Sequence, residues 1–394
     1  MATHLESLLE DPERLATLGF LSLRGVGAGT CERLCKAFGS LAEALAADPE
    51  RYLPVLSSGA RDDHAAGGSL QARAEQVVRR CQALGAWIAF RGDPGWPAPL
   101  ADLGRTEPRV LFVRGALSPD RPADHWAAVV GTRHPDSRGV FVAEHLGATL
   151  AGAGVGVVSG GAEGIDAAAH RGALSAAGVT WAVLGAGFDH LFPKSNVALF
   201  DRIAAHGGAV ITECPPAHEV RAGSFPRRNR IVAALGRIAV VVQGRVDSGG
   251  LLTARDALKL GGRALLAVPG DLRDPLADGP HMLLREGVAR ACCHSSDALV
   301  ALGLQAALTV VPREGVAPAW EPLPPAPIAP ARRVVLDAAL EPVYQALTVA
   351  PQHVEAIASA VSLPAPQLLA ALTQLELLGV CEQRPGKLFV RRSG

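Results

Sequence analysis

Glycines, hydroxyl residues and cations recur in this sequence directly after short apolar runs. Glycine lets backbone amides approach a phosphate closely, and arginine contacts a phosphate through two parallel hydrogen bonds. If these turns meet in the fold, they form one electropositive ledge that suits a phosphate chain. The turns concerned are residues 131–133, 159–166 and 185–189, Pro193 with Lys194, residues 225–230, and residues 247–250 with Thr253.

The most specific of these signals is the segment 225–230, Phe-Pro-Arg-Arg-Asn-Arg, because it contains three arginines. Arg227, Arg228 and Arg230 stand at the start of a predicted helix, where cations oppose the helix macrodipole. An anion bound at this point would offset that repulsion. A solvated basic face of the helix is the alternative that the sequence leaves open.

Two acidic residues, Asp166 and Asp189, follow glycine turns and are candidates for a catalytic carboxylate. General acid–base chemistry needs a positioned partner, and the sequence pairs neither residue convincingly with a second carboxylate or a metal ligand. His170 follows Asp166 by four residues, which permits a hydrogen bond on one helix face. Helix capping and loop fastening are the more economical roles, so we predict no catalytic residue, no metal site and no cofactor.

Seven cysteines, with no secretory leader before them, fit a reducing cytosol. Cys31 and Cys35 are four residues apart and Cys292 and Cys293 are adjacent, so neither pair has the Cys-x-x-Cys spacing of a zinc site. Buried structural thiols are the expected role. No apolar run reaches the roughly 18 residues of a membrane span without interruption, so we predict a cytoplasmic protein that does not bind membranes.

The balance of charge excludes a protein that coats nucleic acid through an overall positive charge. The chain of 394 residues carries 38 Lys+Arg against 38 Asp+Glu, so no global positive field draws it onto nucleic acid. Any site for a polyanion must therefore be local. With 49% hydrophobic residues the chain has ample material for a core. Its length suggests two or three domains.

Residues 86–305 form the predicted central domain, and from about residue 125 to 300 it repeats one pattern, in which a short apolar run is followed by a small-residue turn and an amphipathic helix. Continuous apolar strands separated by helices are typical of a parallel sheet covered on both faces. We therefore predict an α/β domain with an extended Rossmann-like, doubly wound, mostly parallel sheet, whose ligands bind beyond the carboxyl ends of the strands. The predicted strands are residues 127–130, 155–158, 180–184, 209–211, 238–242 and 264–268, with 87–90 and 110–113 as extensions.

Different patterns flank this central domain. Residues 1–85 predict a small helical domain, in which a glycine-rich turn at 25–29 separates two helices. That turn is either a helix-hairpin-helix, whose amides contact phosphate, or a plain connector. Residues 306–332 are rich in proline and alanine and predict an extended linker. Residues 333–394 show three helical segments followed by a strand pair, which is the order of a winged helix.

A series of motifs in the central domain resembles the DprA (Smf) family in order and spacing. The motifs are Val-Val-Gly-Thr-Arg at 129–133, Ser-Gly-Gly-Ala-Glu-Gly-Ile-Asp at 159–166, Ala-Val-Leu-Gly-Ala-Gly at 182–187, Phe-Pro-Arg-Arg-Asn-Arg-Ile at 225–231, Ser-Gly at 248–249 and Ala-Val-Pro-Gly at 267–270. The helical and winged-helix flanks agree with this resemblance. It implies sequence-independent binding and protection of single-stranded DNA without catalysis, a homodimer, and loading of the RecA recombinase onto DNA taken up in natural transformation.

The resemblance also assigns DNA contacts to individual residues. Glu163 departs from the family, which generally has arginine there, so this turn would offer amides but repel phosphate at the side chain. Gln243 replaces a frequent glutamate. Val197 stands where an aromatic residue could stack on a base, which leaves Phe192 and Phe225 as the stacking candidates. The assigned contacts are Arg133, Gly160, Gly161, Lys194, Phe225, Arg227, Arg228, Asn229, Arg230, Ser248, Gly249 and Thr253.

Other functions fit the sequence less well. A nicotinamide-dependent oxidoreductase needs a Gly-x-Gly-x-x-Gly turn and an acidic residue about 20 positions further on, and neither is present. A nucleotide-cleaving hydrolase of the lysine-decarboxylase-like group needs a catalytic acid that residues 248–256 do not supply at its place. P-loop ATPases need Gly-x-x-x-x-Gly-Lys-[Ser/Thr], which is absent. The predicted recognition helix at 365–378 has no Lys or Arg, so we expect the winged helix to bind a partner or pack on the fold rather than read duplex DNA.

Overall fold

The computed structural model describes residues 8–117, 125–219, 223–304, 336–378, 380–384 and 386–391. Its internal contacts divide the chain into two compact units, residues 1–309 and 310–394. The helical region before residue 86 and the central sheet belong to the same unit. The linker predicted at residues 306–332 lies outside the described residues, so its extended conformation stays a prediction.

Helices precede the sheet, and polar side chains define where they begin. They are α1 (Pro12–Leu21), α2 (Ala28–Phe38), α3 (Leu41–Ala46), α4 (Pro49–Tyr52), α5 (Ser58–Ala66) and α6 (Leu70–Ala83). Asp11 and Ser69 cap α1 and α6 by accepting hydrogen bonds from first-turn amides. The helices share a core in which Phe20 packs edge-on against Tyr52, with ring centroids 5.4 Å apart.

The central sheet is mostly parallel, as the sequence predicts. Its strands are β1 (Trp87–Phe90), β2 (Val110–Gly115), β3 (Trp126–Val130), β4 (Gly156–Ser159), β5 (Thr180–Leu184), β6 (Ala209–Thr212), β7 (Ile238–Val241), β8 (Ala264–Ala267) and β9 (Arg290–Ala291). They lie in the order β1-β2-β6-β5-β4-β3-β7-β8-β9. Strands β3 to β9 run parallel, and β2 pairs antiparallel with both β1 and β6.

Helices cover both faces of this sheet. They are α7 (Ser137–Gly152), α8 (Ile165–Ser175), α9 (Val197–Ala205), α10 (Ser224–Leu235), α11 (Gly249–Lys259), α12 (Asp278–Arg285) and α13 (Ser295–Ala301). Side chains alternate along β3, so that Ala127 and Val129 join a core with α7, α8 and α13, whereas Ala128 and Val130 join one with α10, α11 and α12. The doubly wound architecture is therefore confirmed.

The order of the strands reverses between β3 and β7. From β3 the chain continues through α7 to β4 on one side, and from β7 it continues through α11 to β8 on the other. The loops that leave the carboxyl ends of β3 and β7 therefore diverge. This divergence opens a crevice, which is where open α/β sheets hold their ligands.

The second unit is a winged helix, as predicted. It consists of α14 (Glu341–Ala346), α15 (Val354–Val361) and α16 (Ala365–Leu377) with strands β10 (Gln352–His353), β11 (Cys381–Arg384) and β12 (Leu388–Arg391). The strands pair antiparallel in the order β10-β12-β11, and Leu372 and Phe389 lie in its core. In the described part of the chain, no single helix has the length and apolar composition to cross a membrane. Helices α15 and α16 meet those criteria only as a pair bent by 108°.

Candidate nucleic-acid interface

A cavity of about 570 Å³ opens at the crevice between β3 and β7. The loops after β3, β4 and β7 and the first turns of α10 and α11 form its walls, so segments distant in sequence meet there. We call it the switch-point cavity. The predicted contact residues that line it are Arg133, Gly160, Phe225, Arg228, Asn229, Ser248, Gly249 and Thr253.

Two glycines allow β3 and α11 to touch beside this cavity. A Cβ atom on Gly250 would lie 2.7 Å from the Cα atom of Gly131, and one on Gly131 would lie 2.6 Å from the carbonyl oxygen of Gln243. No larger residue fits at either position unless backbone atoms move. The close approach brings the first turn of α11, with its free amides, to the loop after β3.

The side chain of Gln243 ties the two diverging loops together. Its Nε2 donates to Oδ1 of Asp136 at 2.9 Å, and its Oε1 accepts from the Asp136 amide at 3.3 Å. A hydrogen bond from the Gly139 amide, supported by Gln243, holds the pKa of Asp136 below its ordinary value. Asp136 is therefore a charged N-cap of α7. A glutamate at position 243 could not donate the bond to Asp136, so the neutral amide of Gln243 is what allows this clamp.

Arg133 and Arg228 bring two guanidinium groups to the cavity, one exposed and one buried. Arg228 is 5% exposed. Burial lowers the pKa of its guanidinium to about 10, against the opposing charge of Asp166 and with a further contribution from Arg133. Arg228 therefore stays charged at neutral pH. Because like charges that repel each other favour an anion nearby, this pair suits a phosphate.

Arg228 lies beneath the turn after β4 rather than on the protein surface. Its Nη1 donates to the carbonyl oxygen of Gly160 and, at 2.5 Å, to that of Val183. Burial raises the pKa of the neighbouring Asp166, and the charge of Arg228 opposes that rise. The guanidinium thus braces the ends of β4 and β5 against α10. Its Nε has no hydrogen-bond partner among the described residues.

Ser248 begins α11 as its N-cap, yet its hydroxyl makes no capping hydrogen bond. The Oγ atom is buried and has no partner within the described residues. A buried hydroxyl without a partner is costly, and a phosphate oxygen is the kind of acceptor that satisfies it. Nearby, Asn229 donates from Nδ2 to the carbonyl oxygen of Gly249 at 3.3 Å, which joins α10 to α11. Thr253, also buried, completes this wall.

Phe192, Phe225 and Arg133 form a row that we call the aromatic platform. The guanidinium carbon of Arg133 lies 4.9 Å from the ring centroid of Phe225, and that ring lies 5.7 Å from the ring of Phe192. Phe192 is 43% exposed. A row of rings beside a cation, with one ring exposed, is an arrangement on which an unpaired base stacks.

The remaining predicted contacts do not line the switch-point cavity. Gly161 is buried behind it. Lys194 is exposed in the short turn Lys194–Asn196. Arg227 and Arg230 line a different cavity, and both form ion pairs with Glu213, at 3.5 Å and 2.7 Å respectively.

Two acidic residues singled out in the sequence have partners in the fold. Oε1 of Glu163 accepts a hydrogen bond from the hydroxyl of Ser195 at 2.5 Å. Oδ1 of Asp189 accepts from Nε of Arg80 at 2.7 Å, which fastens the loop after β5 to α6. Neither carboxylate projects into the switch-point cavity.

His170 pairs with Thr180 rather than with Asp166, the partner that its sequence spacing permits. Nδ1 of His170 lies 2.7 Å from Oγ1 of Thr180, and its Nε2 has no partner among the described residues. Burial lowers the pKa of His170 to about 3, so the ring is neutral under ordinary conditions. The described part of the chain contains no group of three His, Cys, Asp or Glu residues that could hold a metal ion.

Comparison with known proteins agrees with this fold. A family model described as DNA recombination-mediator protein A matches residues 87–303, and one described as DprA winged helix domain matches residues 322–387. The chain is 39% identical over 308 residues, 78% of this chain and 75% of the relative, to the putative DNA processing protein DprA of Mycobacterium tuberculosis.

Solved structures are similar as well. The X-ray structure of DNA processing protein A (DprA) from Streptococcus pneumoniae matches with a TM-score of 0.57 and 28% identity, over 74% of this chain and 97% of that chain. A structure of DNA processing protein A from Helicobacter pylori, described for its single-stranded DNA binding mode, matches with a TM-score of 0.48 and 27% identity, over 55% of this chain and 95% of that chain.

Proposed function

Because the chain belongs to the DNA recombination-mediator protein A family, we propose that it binds and protects single-stranded DNA in the switch-point cavity and loads the RecA recombinase onto it. The observation that carries the proposal is the meeting of Arg133, Arg228 and the unpartnered hydroxyl of Ser248 at one cavity. A phosphodiester offers the negative charge that both guanidinium groups attract and the acceptor oxygen that the Ser248 hydroxyl lacks.

Binding of this kind does not read the base sequence. The cavity offers guanidinium, hydroxyl and backbone amide groups, through which proteins commonly contact phosphate. Asn229 has the amide side chain suited to a base edge, but its Nδ2 already donates to Gly249. We therefore expect oligonucleotides of different sequence to bind alike.

The aromatic platform favours single strands over duplexes. A base stacks on an exposed ring such as Phe192 only when it has left its own helical stack. A duplex would expose its phosphates to Arg133 but no base face to the rings. The chain also has no net positive charge with which to hold a duplex nonspecifically.

The proposed function includes no catalysis. Asp166 lies at the cavity but faces the charge of Arg228, and His170 is a neutral partner of Thr180. Both residues interact with side chains that hold the fold together. They do not form the acid–base pair that hydrolysis requires. Asp166 and His170 accordingly act as supports of the binding turn.

The remaining parts of the proposal follow from family membership. We propose a homodimer that works in the cytoplasm on DNA taken up in natural transformation. The winged helix is proposed to bind a partner rather than duplex DNA, because α16 carries no lysine or arginine to contact phosphates.

Fluorescence anisotropy of the full-length protein tests the proposal. Labelled oligothymidine, a mixed-sequence single strand and the matched duplex are titrated at several salt concentrations. We expect the two single strands to bind with similar affinity, the duplex to bind more weakly, and the affinity to fall steeply with salt. Equal affinity for single strand and duplex, or a marked sequence preference, would contradict the proposal.

A further inference from the structure

A second cavity, of about 300 Å³, lies between α2 and α10. The glycine-rich turn before α2 forms one wall, with Arg33 on α2 beside it. Arg227 and Arg230 on α10 form the opposite wall, together with Thr106. We call this the hairpin cavity. The hairpin cavity lies where the N-terminal helices meet the sheet domain, and both belong to one compact unit.

The hairpin cavity is strongly basic. Three guanidinium groups line it, and Glu213 is the carboxylate that pairs with Arg227 and Arg230. Arg33 is exposed, and its hydrogen bonds go to neutral acceptors, the carbonyl oxygen of Gly29 at 3.4 Å and the hydroxyl of Thr30 at 3.2 Å. Among the described residues, one carboxylate stands against three guanidinium groups, a net positive charge that favours an anionic ligand.

Gly27 permits the contact between the two walls. A Cβ atom at this position would overlap the guanidinium of Arg227, so a larger residue would displace that side chain. Gly27 is also the N-cap of α2 and has no side chain with which to satisfy the first-turn amides. Those amides, on Ala28 and Gly29, belong to the same wall as Arg33. Backbone donors and cations thus converge on one space.

The hairpin cavity adjoins the switch-point cavity along the first turn of α10. Pro226 and Arg228 line the switch-point cavity, whereas Arg227, between them in sequence, lines the hairpin cavity. A chain of phosphates that leaves the first cavity past this turn therefore meets the second. Arg227 and Arg230 line the hairpin cavity, whereas Arg228 lines the switch-point cavity and braces the turn after β4 from within the fold.

We infer that the hairpin cavity binds a further phosphate of the strand held in the switch-point cavity, so that the N-terminal helices form part of the DNA site. The inference rests on the proposed function. It assigns the glycine-rich turn, which the sequence left as either a hairpin or a plain connector, to phosphate binding. Its ligand class is a phosphodiester backbone without regard to base.

The length of the oligonucleotide separates the two cavities in an experiment. Anisotropy is measured with oligothymidines of about 3 nucleotides, too short to fill both adjoining cavities, and of about 20 nucleotides, long enough to pass through both. The variants are Arg33→Ala, and Arg61→Ala as a matched control. Arg61 is an exposed arginine of the same helical region, on α5, and it does not line the hairpin cavity.

Arg33→Ala should weaken binding of the long oligonucleotide about fivefold, as expected for one exposed charged contact. The slope of affinity against salt should fall by about 0.7. The short oligonucleotide should bind Arg33→Ala as it binds the wild type, and Arg61→Ala should match the wild type with both.

Two different failures are distinguishable. If the wild type binds both oligonucleotides but Arg33→Ala changes neither affinity, or changes both equally, the hairpin cavity is not a DNA site and the switch-point proposal survives. The same conclusion follows if Arg61→Ala loses as much as Arg33→Ala. If the wild type binds neither oligonucleotide, the proposed function fails and this inference with it.

Discussion

Arg228 and Asp166 hold the same residue, Gly160, from its two sides. The guanidinium of Arg228 donates to the carbonyl oxygen of Gly160, and the carboxylate of Asp166 accepts from its amide. The two side chains are oppositely charged and nearly completely buried. The turn after β4, which lines the switch-point cavity, is therefore held by both side chains before any DNA binds.

Loss of Arg228 should destabilise the fold as well as weaken binding. Arg228→Ala removes a buried guanidinium that donates to two carbonyl oxygens and whose charge opposes the desolvation of Asp166, so the free energy of unfolding should fall by about 3–5 kcal/mol. Denaturant unfolding measures this cost, with Arg227→Ala as the control because Arg227 is its exposed neighbour. Adding Asp166→Asn to Arg228→Ala should restore part of the loss. Equal stability of the two single variants would contradict a bracing role.

Arg133 should contribute to binding and hardly to stability. Its side chain is exposed beside Phe225, so Arg133→Ala should change the free energy of unfolding by less than about 0.5 kcal/mol. Affinity for oligothymidine should fall about tenfold, the value of one bond between charged groups. Anisotropy and denaturant unfolding measure the two quantities. Arg171→Ala, at an exposed arginine of α8, is the control, and an equal loss of affinity there would contradict a specific contact.

The aromatic platform should act through bases and not through phosphates. Phe225→Leu should lower affinity for oligothymidine by about 1–3 kcal/mol, the range for one stacked base. It should have no effect on an abasic oligonucleotide of the same length, since that strand offers only backbone. Phe141→Leu, at the exposed phenylalanine of α7, controls for loss of a surface ring. If the abasic strand loses as much affinity as oligothymidine, the ring does not stack on a base.

His170 should make stability depend on pH in a defined window. Its pKa is about 3 in the folded chain, against 6.5 as the ordinary value. Between these values the unfolded chain binds a proton that the folded chain does not, so the free energy of unfolding falls as pH drops below 6.5, by about 1.4 kcal/mol per unit. His170→Gln removes this contribution and should flatten the curve over that window. Parallel curves for wild type and variant would show that His170 is accessible to protons.

The fold was largely predictable because its signals are local. Continuous apolar runs such as residues 238–242 indicate buried parallel strands, and the winged helix has its helices and strand pair in the expected order. The pairing of β2 with β6 brings together segments far apart in sequence. Only the three-dimensional structure reveals such long-range order.

The site was predictable in its residue types but not in their roles. Arg228 is followed at helical spacing by Ile231, Val232 and Leu235, all buried, so the period of the helix places its side chain inward. Arg228 therefore does not belong with Arg227 and Arg230 in one surface charge cluster. The clamp between Gln243 and Asp136 joins loops distant in sequence, so no local pattern reveals it.

A crystal structure of the full chain with a short oligothymidine tests the central claim most directly. We predict phosphate groups in the switch-point cavity, within hydrogen-bond distance of the Arg133 guanidinium and the Ser248 hydroxyl. Oligonucleotide bound elsewhere on the chain, with no phosphate at these two side chains, would contradict the claim.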